Sequence, residues 1–180
     1  MYFWQDGAFG ILSVNERSLI QDNNIGQLVL GTGGVLDRYD YLSILNGTSI
    51  VNDDSITNSD SNIYWYDVNK NEICKYGSNG VNIISKECNV QSYVNNMYSQ
   101  KTRWANSLYD KKYDEVWFRL YNKSLIYNER LNVFTSLYTF DPDFTLPFRD
   151  KVVTTKNNDF YIINSLNIDG FGDTDKDIKL

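Results

Sequence analysis

The sequence predicts an all-β chain, mainly antiparallel, organised as blade-like repeats. Three observations carry that expectation. The stretch Ser61 to Lys86, SNIYWYDVNKNEICKYGSNGVNIISK, reads as three short strands joined by two turns. Branched and aromatic side chains fill a pleated surface, whereas Asn and Gly tolerate the positive φ of tight turns. The same plan returns from Glu115 to Phe140, EVWFRLYNKSLIYNERLNVFTSLYTF, with Asn69-Lys70 falling on Asn122-Lys123, and a shorter echo runs from Asn158 to Asn164. Repeats of about 40–50 residues, each a small antiparallel sheet, are the mark of β-propeller blades. The alternative is a β-sandwich whose hairpins are alike by composition. Lastly, aromatic residues make up 15% of the chain, with 14 Tyr, 9 Phe and 4 Trp, a balance that suits sheets.

Taken in order, Met1 to Gly10 is aromatic and Gly-containing and reads as an edge strand. Gly10–Val14 and Ser18–Ile20 are apolar runs around a polar Asn15-Glu16-Arg17 turn, and Leu28–Leu30 is another short strand. Gly31-Thr32-Gly33-Gly34 invites a phosphate-loop reading. The Gly-x-x-x-x-Gly-Lys-Ser/Thr spacing is missing and no clear helix follows, so a tight turn is expected. Asp37–Tyr41 alternates charge and ring, Leu42–Leu45 is apolar, and Asn46-Gly47 signals a hairpin turn. Val51–Ser61 is the most polar segment and reads as an exposed loop. Ile63–Val68 is largely apolar on both faces, which predicts a strand buried on both sides, as when blades pack face to face. Glu72–Tyr76 and Val81–Ser85 complete that meander, which cannot bury both faces alone.

Val90, Tyr93, Val94 and Met97 recur at i, i+3, i+4 and i+7, the chain's one helical signature. Its apolar stripe should face the core, with Gln91, Asn95 and Asn96 toward water. After the second repeat, Asp141–Phe144 reads as a turn, Thr145–Arg149 as a link and Lys151–Thr155 as a strand. Asn157-Asn158-Asp159 then turns the chain back into Phe160–Ile163. The expected organisation is one β-rich domain over 1–180, with repeats near 61–86, 115–140 and 151–164 and an acidic tail at 167–180.

Composition removes several function classes. The chain has no histidine, so a Ser-His-Asp triad, a Cys-His dyad and a His-containing zinc site cannot be assembled within it. Lys plus Arg number 17 against 23 Asp plus Glu, a net charge of −6. That balance argues against specific nucleic-acid binding, which draws most of its affinity from phosphate neutralisation. An acidic wall does suit a conduit through which DNA slides without sticking. Cys74 and Cys88 are expected as free thiols, Cys74 in the core. The start lacks the basic and apolar regions of a secretion signal, and no apolar run approaches the ~18 residues of a membrane span.

The candidate carboxylates for glycoside hydrolysis are Asp67, Glu72, Asp114 and Glu115, of which Asp67 and Glu72 flank a turn and should be solvated. In the tail, Asn167, Asp169, Asp173, Asp175 and Asp177 alternate oxygen ligands around glycines as calcium loops do, but the EF-hand order and its closing Glu are missing. A solvated acidic tail is therefore expected, with no metal, cofactor or catalytic residue assigned anywhere. Trp104, Tyr109, Tyr113 and Arg119 are candidate protein–protein contacts, with buried core as the competing reading for each. A glycan-binding module would instead need a concave patch with two coplanar rings flanked by Asp or Asn.

The phrases FGILSVNERSLIQ, LVLGTGGVLDRYDYLS, NIYWYDVNKNEICKY and SLIYNERLNVFTSLYTFDP together resemble tail proteins of short-tailed, double-stranded DNA bacteriophages. The likeness is to the tail stabilisation, nozzle or muzzle proteins of crAss-like phages, which close the tail below the portal and ring proteins. It runs over roughly Ala8 to Asn164. The resemblance implies a non-enzymatic virion component with propeller-like domains, made in the bacterial cytoplasm and placed in the tail. Its implied partners are other tail and portal-ring proteins and copies of itself, with host-surface contact as a further option. Such proteins are much longer than 180 residues, so the chain is expected to be a fragment or a split version.

Overall fold

The computed structural model describes residues 1–15, 18–22, 26–30, 35–48, 50–98, 105–120, 123–139, 142–149, 151–157 and 159–163. The chain opens with β1 (Tyr2–Gln5) and β2 (Ala8–Asn15), continues through a ribbon of β3 (Ser18–Asp22) and β4 (Gly26–Leu30), and returns in β5 (Val35–Ser43). β5 pairs with β2, giving a three-stranded sheet β1-β2-β5, and β3 pairs with β4 as a separate two-stranded ribbon. A 3-10 turn (Ile50–Ser55) leads into the second sheet, formed by β6 (Thr57–Asn58), β7 (Ile63–Asp67), β8 (Glu72–Gly77) and β9 (Gly80–Ile83). Two helices follow, α1 (Ile84–Glu87) and α2 (Gln91–Tyr98). The third sheet is β10 (Ala105–Asp110), β11 (Glu115–Leu120), β12 (Lys123–Asn128) and β13 (Val133–Tyr138), and the fourth is β14 (Phe144–Phe148), β15 (Lys151–Lys156) and β16 (Asp159–Ile163). Every ladder is antiparallel. Among the described residues no sheet closes on itself and the sheets do not complete a ring.

The all-β expectation holds, and the repeat read from the sequence has the same wiring twice. β7-β8-β9 and β11-β12-β13 are equivalent meanders, each preceded by a first strand, β6 or β10. Alternation along the strands then decides the packing, because successive side chains leave opposite faces. From β7, Trp65 points toward the first sheet, where it meets Phe9 at 4.7 Å between ring centroids. Tyr64 and Tyr66 point the other way, toward the third sheet, and Tyr64 lies 6.1 Å from the Phe118 ring. On β11, Phe118 faces back and Trp117 faces forward, where it packs with Leu108 and Ile126 of its own sheet and with Val152 of the fourth. The four sheets are thus stacked in chain order, with one apolar layer at each junction. β10 touches β6 on one side and β14 on the other, so the first strands of successive sheets lie together.

The helical stripe is also as expected. Val94 and Met97 are buried in the junction between the second and third sheets, and Val90 and Tyr93 pack against it. Gln91 differs from expectation: half-buried, it donates to Asn71 O at 2.6 Å and accepts from Ser85 Oγ at 2.6 Å. The third strand of the first repeat stops at Ile83, because Ser85 turns inward into α1 and accepts a hydrogen bond from Ile73 N at 3.1 Å. Asn46-Gly47 is not a hairpin turn; both residues are buried. A Cβ on Gly47 would lie 1.8 Å from Gln5 O, so the glycine is there for a close backbone approach. The polar segment 51–61 is only partly exposed. Ser55 is fully buried, and its Oγ accepts from Tyr66 N while its carbonyl accepts from Ser107 Oγ. The segment 145–149 is a strand, β14, in which Pro147 occupies an edge where its missing N–H costs no ladder bond.

Candidate functional site

The carboxylates considered for catalysis sit at hairpin mouths and act as latches. Asp67 and Glu72 are cross-strand partners where β7 passes into β8. Contrary to the expectation of solvation, Asp67 is 0% exposed and Glu72 5%. Asp67 Oδ1 accepts from Asn69 N at 2.9 Å and Lys70 N at 3.1 Å, and Oδ2 accepts from Gly47 N at 3.4 Å. Glu72 accepts from Asn46 Nδ2 at 2.7 Å and from Lys86 Nζ. Burial raises the Asp67 pKa and those backbone amides pull it part of the way back. Each of the four carboxylate oxygens already accepts a hydrogen bond, two of them from the 46–47 segment and the others from the hairpin's own amides and Lys86, so the pair is engaged in holding structure together.

Asp114 and Glu115 close a different hairpin, between β10 and β11. Asp114 pairs with the Arg130 guanidinium and accepts from Tyr109 OH at 3.0 Å, and these two contacts lower its pKa. Burial and the neighbouring Asp110 raise Glu115, offset by a hydrogen bond from Trp117. Asp110 accepts from Lys112 N at 3.0 Å. Both mouths use one turn device: a strand-ending Asp, a four-residue loop, and a final loop residue at positive φ, Asn71 at 59° and Asp114 at 54°. The β12–β13 loop repeats it with Asn128 and Asn132, φ 53°. This signal was present in the sequence as Asp/Asn-x-x-x-Asn/Asp at strand ends.

Of the four candidate contact residues, Tyr113 is the exposed one, with Lys112 Nζ 5.0 Å from its ring centroid. Tyr109 is half-buried, and burial with Asp114 pushes its pKa up to about 12. Arg119 is buried and donates from Nη1 to Asp143 O at 3.0 Å, tying the third sheet to the start of the fourth. Trp104 lies outside the described residues, as do Gly31–Gly34 and the acidic tail with its calcium-like spacing.

Two hollows remain. An open groove of about 680 Å³ runs between the first and second sheets, with Tyr2, Trp4 and Tyr76 beside Asn58, Asp60 and Asn62. Its Tyr2 and Tyr76 rings cross at 64°, so they do not form the flat two-ring platform that sugar stacking requires. A cavity of about 350 Å³ holds Lys75, Asn82, Glu87, Cys88 and Asn132. Its polar groups are already engaged with one another: Lys75 Nζ donates to Asn132 Oδ1 at 3.1 Å and Asn82 Nδ2 to Glu87 Oε1 at 2.9 Å. Cys74 and Cys88 are free thiols whose pKa values burial raises, which disfavours the reactive thiolate. Among the described residues no group of three His, Cys, Asp or Glu converges on a metal position, and no helix is long and apolar enough to cross a membrane.

The sequence reading missed the two outer faces of the stack. The outward face of β14-β15-β16 carries Phe144, Phe148 and Phe160, all exposed. The outward face of β1-β2-β5 carries Tyr39 and Tyr41, also exposed. Reading 145–149 as a link hid the first, since only strand register shows that these rings share a face. A comparison with curated proteins finds no match. Residues 1–158 match the family model described as Crassvirus muzzle protein, and the chain belongs to that family.

Proposed function

We propose that this chain helps to close the phage tail and to form the DNA-ejection conduit through protein–protein assembly with other tail and portal-ring proteins. Membership of the muzzle family makes it a structural tail component of the virion. The observation that supports the finer role is the serial stack. Asp67 and Glu72 are spent on latching a loop to a hairpin, while rings on the outer faces of the first and fourth sheets, Tyr39, Tyr41, Phe144, Phe148 and Phe160, are exposed. Such a molecule is built to be packed against. The net charge of −6 fits a wall that DNA passes without adhering. We read the chain as one domain whose sheets are consecutive propeller-type blades, the ring being completed by other polypeptide.

Gradient-purified particles provide the test. Mass spectrometry should find the protein at a fixed copy number per virion, and cross-linking should join it to tail or portal-ring proteins. Its loss from purified particles, with infectivity unchanged, would overturn the assignment.

A further inference from the structure

We propose that Asn79-Gly80, at the turn between β8 and β9, deamidates spontaneously in the folded protein, turning Asn79 into aspartate and isoaspartate. The chain contains Asn-Gly twice. The fold leaves this copy open to the reaction and pins the other, Asn46-Gly47, against it.

The chemistry needs only the two residues and water. The Gly80 peptide nitrogen gives its proton to solvent and attacks Asn79 Cγ. The new N–Cγ bond forms, the Cγ–Nδ2 bond breaks, and ammonia leaves, closing a cyclic imide. Water then adds to either imide carbonyl. One opening gives aspartate, and the other gives isoaspartate, whose main chain runs through the side-chain carbon. Glycine favours the attack because no Cβ screens its nitrogen. Turn chemistry selects Asn and Gly for their backbone freedom, so the pair that makes the turn is also the pair that reacts.

The two copies have opposite surroundings. Asn79 is exposed, and a Cβ built on Gly80 would meet nothing within 4 Å. Asn46 is 5% exposed, and a Cβ on Gly47 would lie 1.8 Å from Gln5 O. Both ends of that second pair are also tied down. Asn46 Nδ2, on the carbon to be attacked, donates to Glu72 at 2.7 Å, and Gly47 N, the attacking atom, donates to Asp67 at 3.4 Å. Ring closure there would break both contacts in a packed site. At the open copy the products have consequences. Gly77 and Gly80 are cross-strand partners, so Ser78 and Asn79 alone span the turn. Isoaspartate adds a backbone carbon to that span and strains the β8–β9 register. Asn79 also lines the cavity that holds Lys75 and Glu87, so either product sets a further negative charge in its wall.

Peptide mapping of the purified full chain, kept folded in warm, mildly alkaline buffer, tests the idea. Aspartate and isoaspartate should accumulate at position 79. Asn46 should convert about a hundredfold more slowly, because it reacts only through local opening. The same incubation in denaturant should bring the two rates together, since the fold alone separates them. Asn79→Gln, at an exposed position that circular dichroism should show folded, should abolish the product in its peptide. Product that persists there would place the reaction at Asn82 and overturn the proposal. So would an Asn79 that converts in denaturant but stays intact in the folded chain, or equal rates at the two sites in the folded chain.

Discussion

Sheets β6-β9 and β10-β13 run the same meander, yet they place the same turn device at different hairpins and in different surroundings. In the earlier sheet the Asp67–Glu72 mouth is sealed by Asn46 and Gly47 and loses contact with water. In the later one the device sits a hairpin earlier, at Asp110 and Asp114-Glu115, and Asp114 answers to Arg130 and Tyr109 at the surface. Strand order is thus the invariant, because each sheet must offer two apolar faces to its neighbours. The mouths are free to vary, and their electrostatics follow whatever segment lies over them.

Truncating the tryptophans should give the largest effects. Trp65 and Trp117 are fully buried on opposite-facing sides of equivalent strands. Trp65→Ala and Trp117→Ala should each cost about 3–5 kcal/mol, a large part of the ~5–15 kcal/mol typical of a domain. Urea unfolding checks this, and a near-neutral value at either site would break the equivalence of the two sheets. Next come the latches. Asp67→Ala strips acceptors from three backbone amides in a dry site and should cost about 2–3 kcal/mol. Asp110→Ala, also at a buried site, removes an acceptor of two amides of its own loop, Lys112 and Tyr113, and should cost less, about 1 kcal/mol. Equal losses would show that the covering segment 46–47 does not matter.

pH separates the mouths by sign. The Asp67 pKa is raised by burial, so the folded state holds its proton more tightly than the unfolded chain. Its contribution is fully present below the ordinary carboxylate value of 3.8 and is lost as pH rises through the raised folded value. Asp67→Asn should therefore flatten the stability profile on the acid side of neutrality. Asp114 is lowered by Arg130 and Tyr109, so its contribution holds above 3.8 and fades as pH falls through the depressed value. Arg130→Ala should move only that acid limb, the smallest of these effects. At the alkaline end Tyr109, Tyr127 and Tyr138 are pushed up to about 12, chiefly by burial. Their share of stability is intact below 10 and lost as pH rises through 12, which phenolate absorbance should report as late, unfolding-linked ionisation.

Much of this architecture was legible from residues alone. Ile63–Val68 announced itself through branched and aromatic side chains on both faces, and the Val90–Met97 stripe through its spacing. Other elements left no such trace. β10, ANSLYD, is buried almost throughout, yet its polar side chains are satisfied by distant partners such as Ser55 O and Thr145, so neither alternation nor branching marks it. Asp67 read as solvated because its burial depends on the segment around Gly47, twenty positions away, whose amide it also accepts from, and the outer ring faces depend on register. Periodicity reports what a segment does by itself, whereas latches and end faces are products of the stack.

The central claim is that sister sheets pack flank to flank through rings of opposite-facing residues. A double-mutant cycle on Tyr64 and Phe118, whose centroids lie 6.1 Å apart across the middle junction, tests it most directly. A coupling of about 0.5–1.5 kcal/mol is expected for such a pair. Strict additivity would mean that the two rings never meet.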